Sequence, residues 1–181
     1  MGKIEKLIAN LKSEGLVNPN KFDVIISGPS ALPFDYEEIA LSLEKTALPA
    51  KLIITEDFRV HGPLAKYPSS VSYNDITFTY RCGQSMRVKR YFDAWLNNII
   101  FTGDGSNSSS SAMNKMNCGW ADDYEGTCEI TLLDNNEGFL YVAKLFQFFP
   151  TSVGEIALDA TTTNTYATID ITFAFRGWES N

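Results

Sequence analysis

At 181 residues the chain has the length of one large domain, and 44% hydrophobic residues against 20% charged give it the material for a core, which excludes a wholly disordered chain. A formal net charge of −7 and a pI of about 4.7 argue against a protein that grips nucleic acid with a basic face. The acidity is uneven: residues 1–90 hold 12 Lys and Arg with 10 Asp and Glu, whereas residues 91–181 hold 3 with 12.

The start, MGKIEKLIANLKSEG, scatters charges among its apolar positions and so lacks the uninterrupted apolar core of a signal peptide. No window approaches 18 apolar residues, so neither a spanning helix nor stable membrane insertion is expected. Ile4, Leu7, Ile8 and Leu11 fall at i, i+3, i+4 and i+7, which predicts an amphipathic helix of about three turns, stopped at Gly15. NPN at 18–20 punctuates the chain before a short strand, Phe22–Ser27. In 37–45, Ile39, Leu41 and Leu43 alternate with Glu38, Ala40, Ser42 and Glu44, the period of a strand with one wet face. Thr46–Ala50 makes a turn around Pro49, and 51–61 continues as a strand with Leu52, Ile54, Phe58 and Val60 on one face. A loop over 62–72 leads to Tyr73–Arg81, where Ile76, Phe78 and Tyr80 alternate with Thr77, Thr79 and Arg81.

A helix follows between Ser85, its expected N-cap, and Ile100, with Met86, Tyr91 or Arg90, Trp95 and Ile99 at helical spacing. Residues 102–117, with Gly103, Gly105 and serines at 108–111, read as a mobile loop; without GxxxxGK[ST] they do not read as a phosphate loop. Thr127–Leu133, a turn DNNEG and Phe139–Phe149 form a hairpin signal that Pro150 should end. Extended segments at 153–158 and 166–177 complete a single domain of about seven strands, one body helix and one N-terminal helix.

Little in the chain advertises chemistry. His61 is the only histidine, and Cys82, Cys118 and Cys128 show no CxxC spacing and read as reduced thiols. Asp122, Asp123 and Glu125 lack the alternation of a calcium loop, and in 104–115 Ser109 and Lys115 stand where such a loop needs Gly and Glu. GxSxG is absent. No catalytic residue, metal or cofactor is expected, and the chain does not read as an enzyme.

The wet faces are more informative. The expected hairpins 37–60 and 127–149 place Glu38, Ser42, Glu44, Lys51, Thr55, Asp57, Arg59, Glu129 and Thr131 on the polar side, while Lys144 shares a face with Val142 and Phe146. Two readings follow: a sandwich with one solvated sheet, or strands that pair with neighbouring subunits and so close their exposed edges into a ring.

The segments NPNKFDVIIS, EKTALPAKL, MRVKRYFDAWLNNI and LFQFFPTSVGEIALD, with a last strand ending FRGW at Trp178, resemble the tail tube subunit of contractile-tailed, T-even-like bacteriophages. The resemblance runs from residue 18 to Trp178; the Ser-rich stretch 103–117 departs from it as an expansion. It implies a mainly β fold: two packed antiparallel sheets, as a β-sandwich or partial barrel, with a flanking helix. It further implies hexameric rings in which each subunit gives four strands, about 37–45, 51–60, 127–133 and 139–148, to a continuous β-barrel channel. The polar residues named above then become candidate channel-lining residues, in a bore expected to be neutral to acidic. Ile4, Leu7, Ile8, Leu11, Leu48 and Pro49 become candidate contacts between subunits or rings, together with the turn 46–50 and the loop 62–72.

The implied partners are further copies of the chain, a tail sheath protein, a baseplate tube-initiator, a tape measure protein and a tail terminator. DNA would pass through the lumen without specific binding, in a virion tail assembled in the host cytoplasm. The alternatives are a baseplate tube-initiator, the tube of a phage-derived injection or secretion machine, and a monomeric β-sandwich binding module.

Overall fold

Strand β5 (Ile76–Arg81) buries every second side chain, Ile76, Phe78 and Tyr80, and β10 (Thr168–Ala174) does the same with Ile169, Ile171 and Phe173. The two pair antiparallel with these residues on one face, so period-two patterning alone builds half of the core wall. A computed structural model describes residues 2–6, 8, 15–30, 32, 36–59, 62–102, 116–135, 138–158, 161 and 165–181. Residues 3–6 and 8 are helical. The remaining elements are β1 (Phe22–Ser27), α1 (Tyr36–Ala40), β2 (Leu43–Lys45), β3 (Lys51–Phe58), β4 (Ala65–Tyr73), α2 (Arg87–Ile99), β6 (Ile100–Thr102), β7 (Met116–Cys118), α3 (Ala121–Tyr124), β8 (Gly126–Leu133), β9 (Phe139–Val153) and β11 (Gly177–Ser180).

The main sheet runs β1-β8-β9-β10-β5-β2, with β11 also on β9. It has two halves because β9 bends. The first part of β9 pairs with β8 and β11, and its last part pairs with β10. At the bend one extra β9 residue faces β8 between Leu145 and Phe148, and Gln147 takes a left-handed φ of 51°. Opposite, the chain breaks between β10 and β11, and Arg176 donates from Nη1 to Gln147 Oε1 at 3.1 Å. The result is a curled antiparallel sheet.

Helix α2 lays Val88, Tyr91, Phe92, Trp95 and Ile99 into that curl. Phe148 and Phe173 stack at 4.3 Å, Phe173 meets Phe78 at 5.0 Å and Phe92 at 5.5 Å, and Tyr80 meets Phe92 at 5.3 Å. Each such pair adds roughly 0.5–1.5 kcal/mol beyond its buried area. Trp95 Nε1 donates to the Tyr124 carbonyl at 2.8 Å and ties α2 to α3. Gly126 permits this approach, since a Cβ there would collide with the Ser27 carbonyl and press on the Trp95 ring.

Several expected elements differ. Residues 37–45 do not form a strand: 36–40 are helical, Ile39 is buried and Leu41 is 88% exposed. The run Glu37, Glu38, Ile39, Ala40 contains good helix formers, and a five-residue helix is too short for its period to show. Only Leu43–Lys45 is extended, and it pairs with β5. The hairpin 37–60 therefore does not exist; β3 pairs instead with β4, which occupies most of the expected loop 62–72. Pro68 lies in β4 beside a bulge at Ser69, and Pro150 lies in β9 beside a bulge at Thr151, so neither proline ends its strand. β9 thus runs on to Val153, and 154–158 form no strand. Helix α2 starts after Met86, in left-handed conformation and without a side-chain cap, so Ser85 is not its N-cap. Thr131, expected on the wet side, is 6% exposed, since β8 lies between β1 and β9 with Asp23 and Val142 flanking it. The 127–149 hairpin and the body helix are present as expected. Val60, His61, the Ser-rich residues 103–115, Leu7 and Leu11 lie outside the described residues.

Candidate self-assembly surfaces

Three surfaces stand out. The first is the β3–β4 hairpin. Every residue of β3 and Ala65–Val71 of β4 are exposed, and the described strands pack substantially on each other alone. At its base the Tyr73 ring meets Phe175 at 5.7 Å. Large apolar side chains crowd the hairpin nonetheless: Leu52, Ile53, Ile54, Phe58, Tyr67 and Val71 are 44–57% exposed. An isolated two-stranded hairpin is marginal in water at best.

The second is the outer face of the β5–β10 half. Thr79 Oγ1 donates to Asp170 at 2.6 Å, and Thr77 and Thr172 hydroxyls meet at 3.3 Å. At one end Arg81 pairs with Glu44 at 3.5 Å and lies over the Tyr166 ring, whose hydroxyl donates to Glu44 at 3.2 Å. This face is hydroxyl-rich and close to neutral. The third is the outer face of the β8–β9 half, where Glu129 and Lys144 pair at 3.1 Å beside the exposed Ile25 and Phe146.

The candidate lining residues are distributed over all three. Lys51, Thr55 and Asp57 lie on β3 and Arg59 just beyond it; Glu129, Thr131 and Lys144 lie on the β8–β9 half; Glu44 joins the β5–β10 face through Arg81. Ser42 occupies the turn after α1, and Glu38 is on α1 with its side chain outside the described residues. Among the candidate contacts, Ile4 and Ile8 are exposed, and Leu48 lines an apolar cavity of about 220 Å³ with Val17, Phe22, Ile130 and Leu132, next to Pro49. The residues not singled out in advance are Thr77, Thr79, Asp170 and Thr172. Their signal is the polar half of the alternation in YNDITFTYR and ATIDITFAF.

Chemically reactive arrangements are not prominent. Among the described residues no three His, Cys, Asp or Glu side chains gather as a metal site, and no helix is long and apolar enough to cross a membrane. Burial pushes the Cys128 thiol far up and raises Cys82, the latter partly offset by Lys89. Both are thereby poorer nucleophiles than a free cysteine.

A family model described as phage tail tube protein matches residues 17–181. The chain belongs to this family. Tail tube and related particle structures share its fold. A chain in the cryo-EM structure of the anti-feeding prophage baseplate superposes with a TM-score of 0.65 at 12% identity, covering 92% of this chain and 95% of that one. A chain of the sheath–tube complex of PVC, an extracellular contractile injection system, gives 0.57 at 18% identity over 96% of each. One from the anti-feeding prophage tube-terminating cap gives 0.61 at 17% identity, over 92% and 91%. No curated protein matches the chain. The tail tube family and these neighbours consist of structural tube and particle proteins, a setting into which a projecting hairpin and a polar sheet face fit.

Proposed function

We propose that this tail tube protein is the repeating subunit of a hollow tube, in which six copies close a ring, rings stack, and the Thr77–Thr79–Asp170–Thr172 face lines the bore. The observation that carries self-assembly is the β3–β4 hairpin, a projecting element with exposed apolar residues that packs substantially only on itself. The β5–β10 face supports the lumen assignment. DNA carries about one negative charge per 1.7 Å, so a basic wall would hold it and exchange counterions at every contact. A wall of hydroxyls in which Arg81 is paired with Glu44, and exposed Lys45 opposite Thr79 is balanced by Asp170, is close to neutral, so it offers little such grip and lets the duplex slide. The genome would pass through this lumen without specific binding.

Sheath, tube-initiator, terminator and tape measure proteins are the partners this role calls for, in a virion tail or phage-derived particle. The protein acts by assembly rather than by catalysis. Negative-stain microscopy of the purified full chain should show six-fold rings and hollow tubes; a monomer at every concentration would overturn the proposal. A baseplate-proximal ring is the second reading, favoured by the superposition on a baseplate chain. It predicts single rings that do not elongate.

A further inference from the structure

Among the described residues β1 is an open edge of the main sheet, and its six residues make it longer than the other outer strands there, β2 with three and β11 with four. Short edge strands offer little for another chain to pair with, so β1 is the edge that needs protection. The Leu133 N–H donates to the Lys21 carbonyl at 3.0 Å, in the register that sets Asp23 opposite Thr131. Backbone pairing alternates along an antiparallel ladder, so Asp23, Ile25 and Ser27 turn their amides to β8. Phe22, Val24 and Ile26 turn theirs to the open edge. The middle one of these outward amides is already taken: the Val24 N–H donates to Asp23 Oδ1 at 2.9 Å. Asp23 is the only charged residue in FDVIIS. A side chain bonded to its neighbouring main chain competes with the ladder for the same donor.

Beside this edge a groove of about 340 Å³ runs between β1 and α1, lined by Asp23, Val24, Ile25, Tyr36, Ala40 and Leu41. Its apolar rim, Ile25, Tyr36 and Leu41, is exposed. The strand that matches the edge is β1 of a second copy. With outward amides at Phe22, Val24 and Ile26, two antiparallel β1 strands centre on Val24, each Val24 N–H meeting the other's carbonyl. Ile25 of each copy then faces Asp23 of the other, and one two-fold operation covers both rims, because an isologous contact matches a patch with itself. We infer that Asp23 guards β1 against this pairing. Its carboxylate withholds the central donor of the ladder, and in a pair the two Asp23 charges would stand diagonally across from each other. A closed pair has no β1 edge left for a third subunit, so it withdraws subunits from any open-ended assembly. The guard holds whether or not that assembly is the tube proposed above.

The test compares the full wild-type chain with Asp23→Ala, which removes the acceptor, and Asp23→Asn, which keeps a side-chain oxygen without the charge. Asp23 is exposed, so neither change touches the core, and near-ultraviolet dichroism of the core aromatics reports that each variant is folded. A photo-cross-linker at position 25 should join β1 to β1 of a second copy in the Asp23→Ala chain. Its yield should exceed the wild-type yield by roughly tenfold or more, as losing a hydrogen bond to a charged group implies. Asp23→Asn should stay near the wild-type yield. The Val24 amide should exchange with deuterium faster in dilute Asp23→Ala than in the wild type, and slow again as concentration rises. Equal β1–β1 yields from Asp23→Ala and the wild type, or cross-links from position 25 to other segments alone, would overturn the guard and leave the tube reading standing. An Asp23→Asn yield as high as that of Asp23→Ala would overturn the role of the hydrogen bond.

Discussion

Single residues set how closely the layers approach. Gly126 has no room for a methyl group between the Ser27 carbonyl and Trp95, so Gly126→Ala should cost about 1–3 kcal/mol, the usual range for overpacking, read as a lower urea midpoint with unchanged slope. Phe173 meets Phe78, Phe92, Trp95 and Phe148 at once. Phe173→Ala should cost about 3–5 kcal/mol, a large share of a domain's stability, and show as loss of soluble folded protein. Burial also fixes a pH dependence. The Cys128 thiol and the Tyr91 phenol are both raised by desolvation, the latter to about 12. Below about pH 7 both groups are protonated, folded or unfolded, and contribute no slope. As pH rises through the ordinary thiol value of about 8.5 and the phenol value of about 10, the unfolded chain releases protons that the folded chain keeps, so stability falls from about pH 8 through 12. Urea midpoints measured between pH 8 and 11 should decline, and less so in Cys128→Ala; a rise would contradict the assignment.

Elements show where sequence patterning was sufficient. β1, β5 and α2 were legible because each has one buried face and a clean period, as in FDVIIS, whose Val24 and Ile26 are buried. Helix α1 was not, since a single turn carrying Ile39 beside Leu41 and Leu43 imitates a strand. β4 and the end of β9 were hidden by Pro68 and Pro150, residues that end central strands but are tolerated at bulges. The partner of β3 could not be read either, because a strand apolar on both faces gives alternation no register to fix. The pairing of Ile100 with Cys118 and of Thr102 with Met116 joins the two ends of the Ser-rich segment independently of what lies between. Replacing 103–115 by a tight turn should therefore leave the melting temperature of the subunit unchanged within a few degrees, checked by calorimetry.

At the level of the whole molecule, the acidic excess of residues 91–181 is spread over several surfaces. Asp122 and Asp123 sit on the exposed α3, and Glu129 and Glu179 lie on the β8–β9 half with Lys144 between them. The acidity of the second half therefore does not collect on the β5–β10 face, where Asp170 is bonded to Thr79. Introducing positive charge there gives the sharpest test of the lumen assignment. Thr79→Lys with Thr172→Lys should leave tube formation intact yet slow genome release from particles, in a salt-dependent way. Glu129→Lys on the other half should not. Equal effects of the two would place the bore elsewhere. The family resemblance carried the tail tube family; the expected 37–60 hairpin does not form, so the candidate lining residues drawn from it no longer share one face with those of the 127–149 hairpin.

The bend in β9 has a mechanical consequence. One unbroken strand serves both halves of the sheet, and the Arg176–Gln147 contact staples the opposite break to its corner. Pulling or pushing on either half is therefore transmitted through peptide bonds instead of through a slip plane between two separate sheets. A subunit strained along its tube cannot shed one half and keep the other. It should yield in a single step under force, which suits a pipe that must cross an envelope without its wall parting.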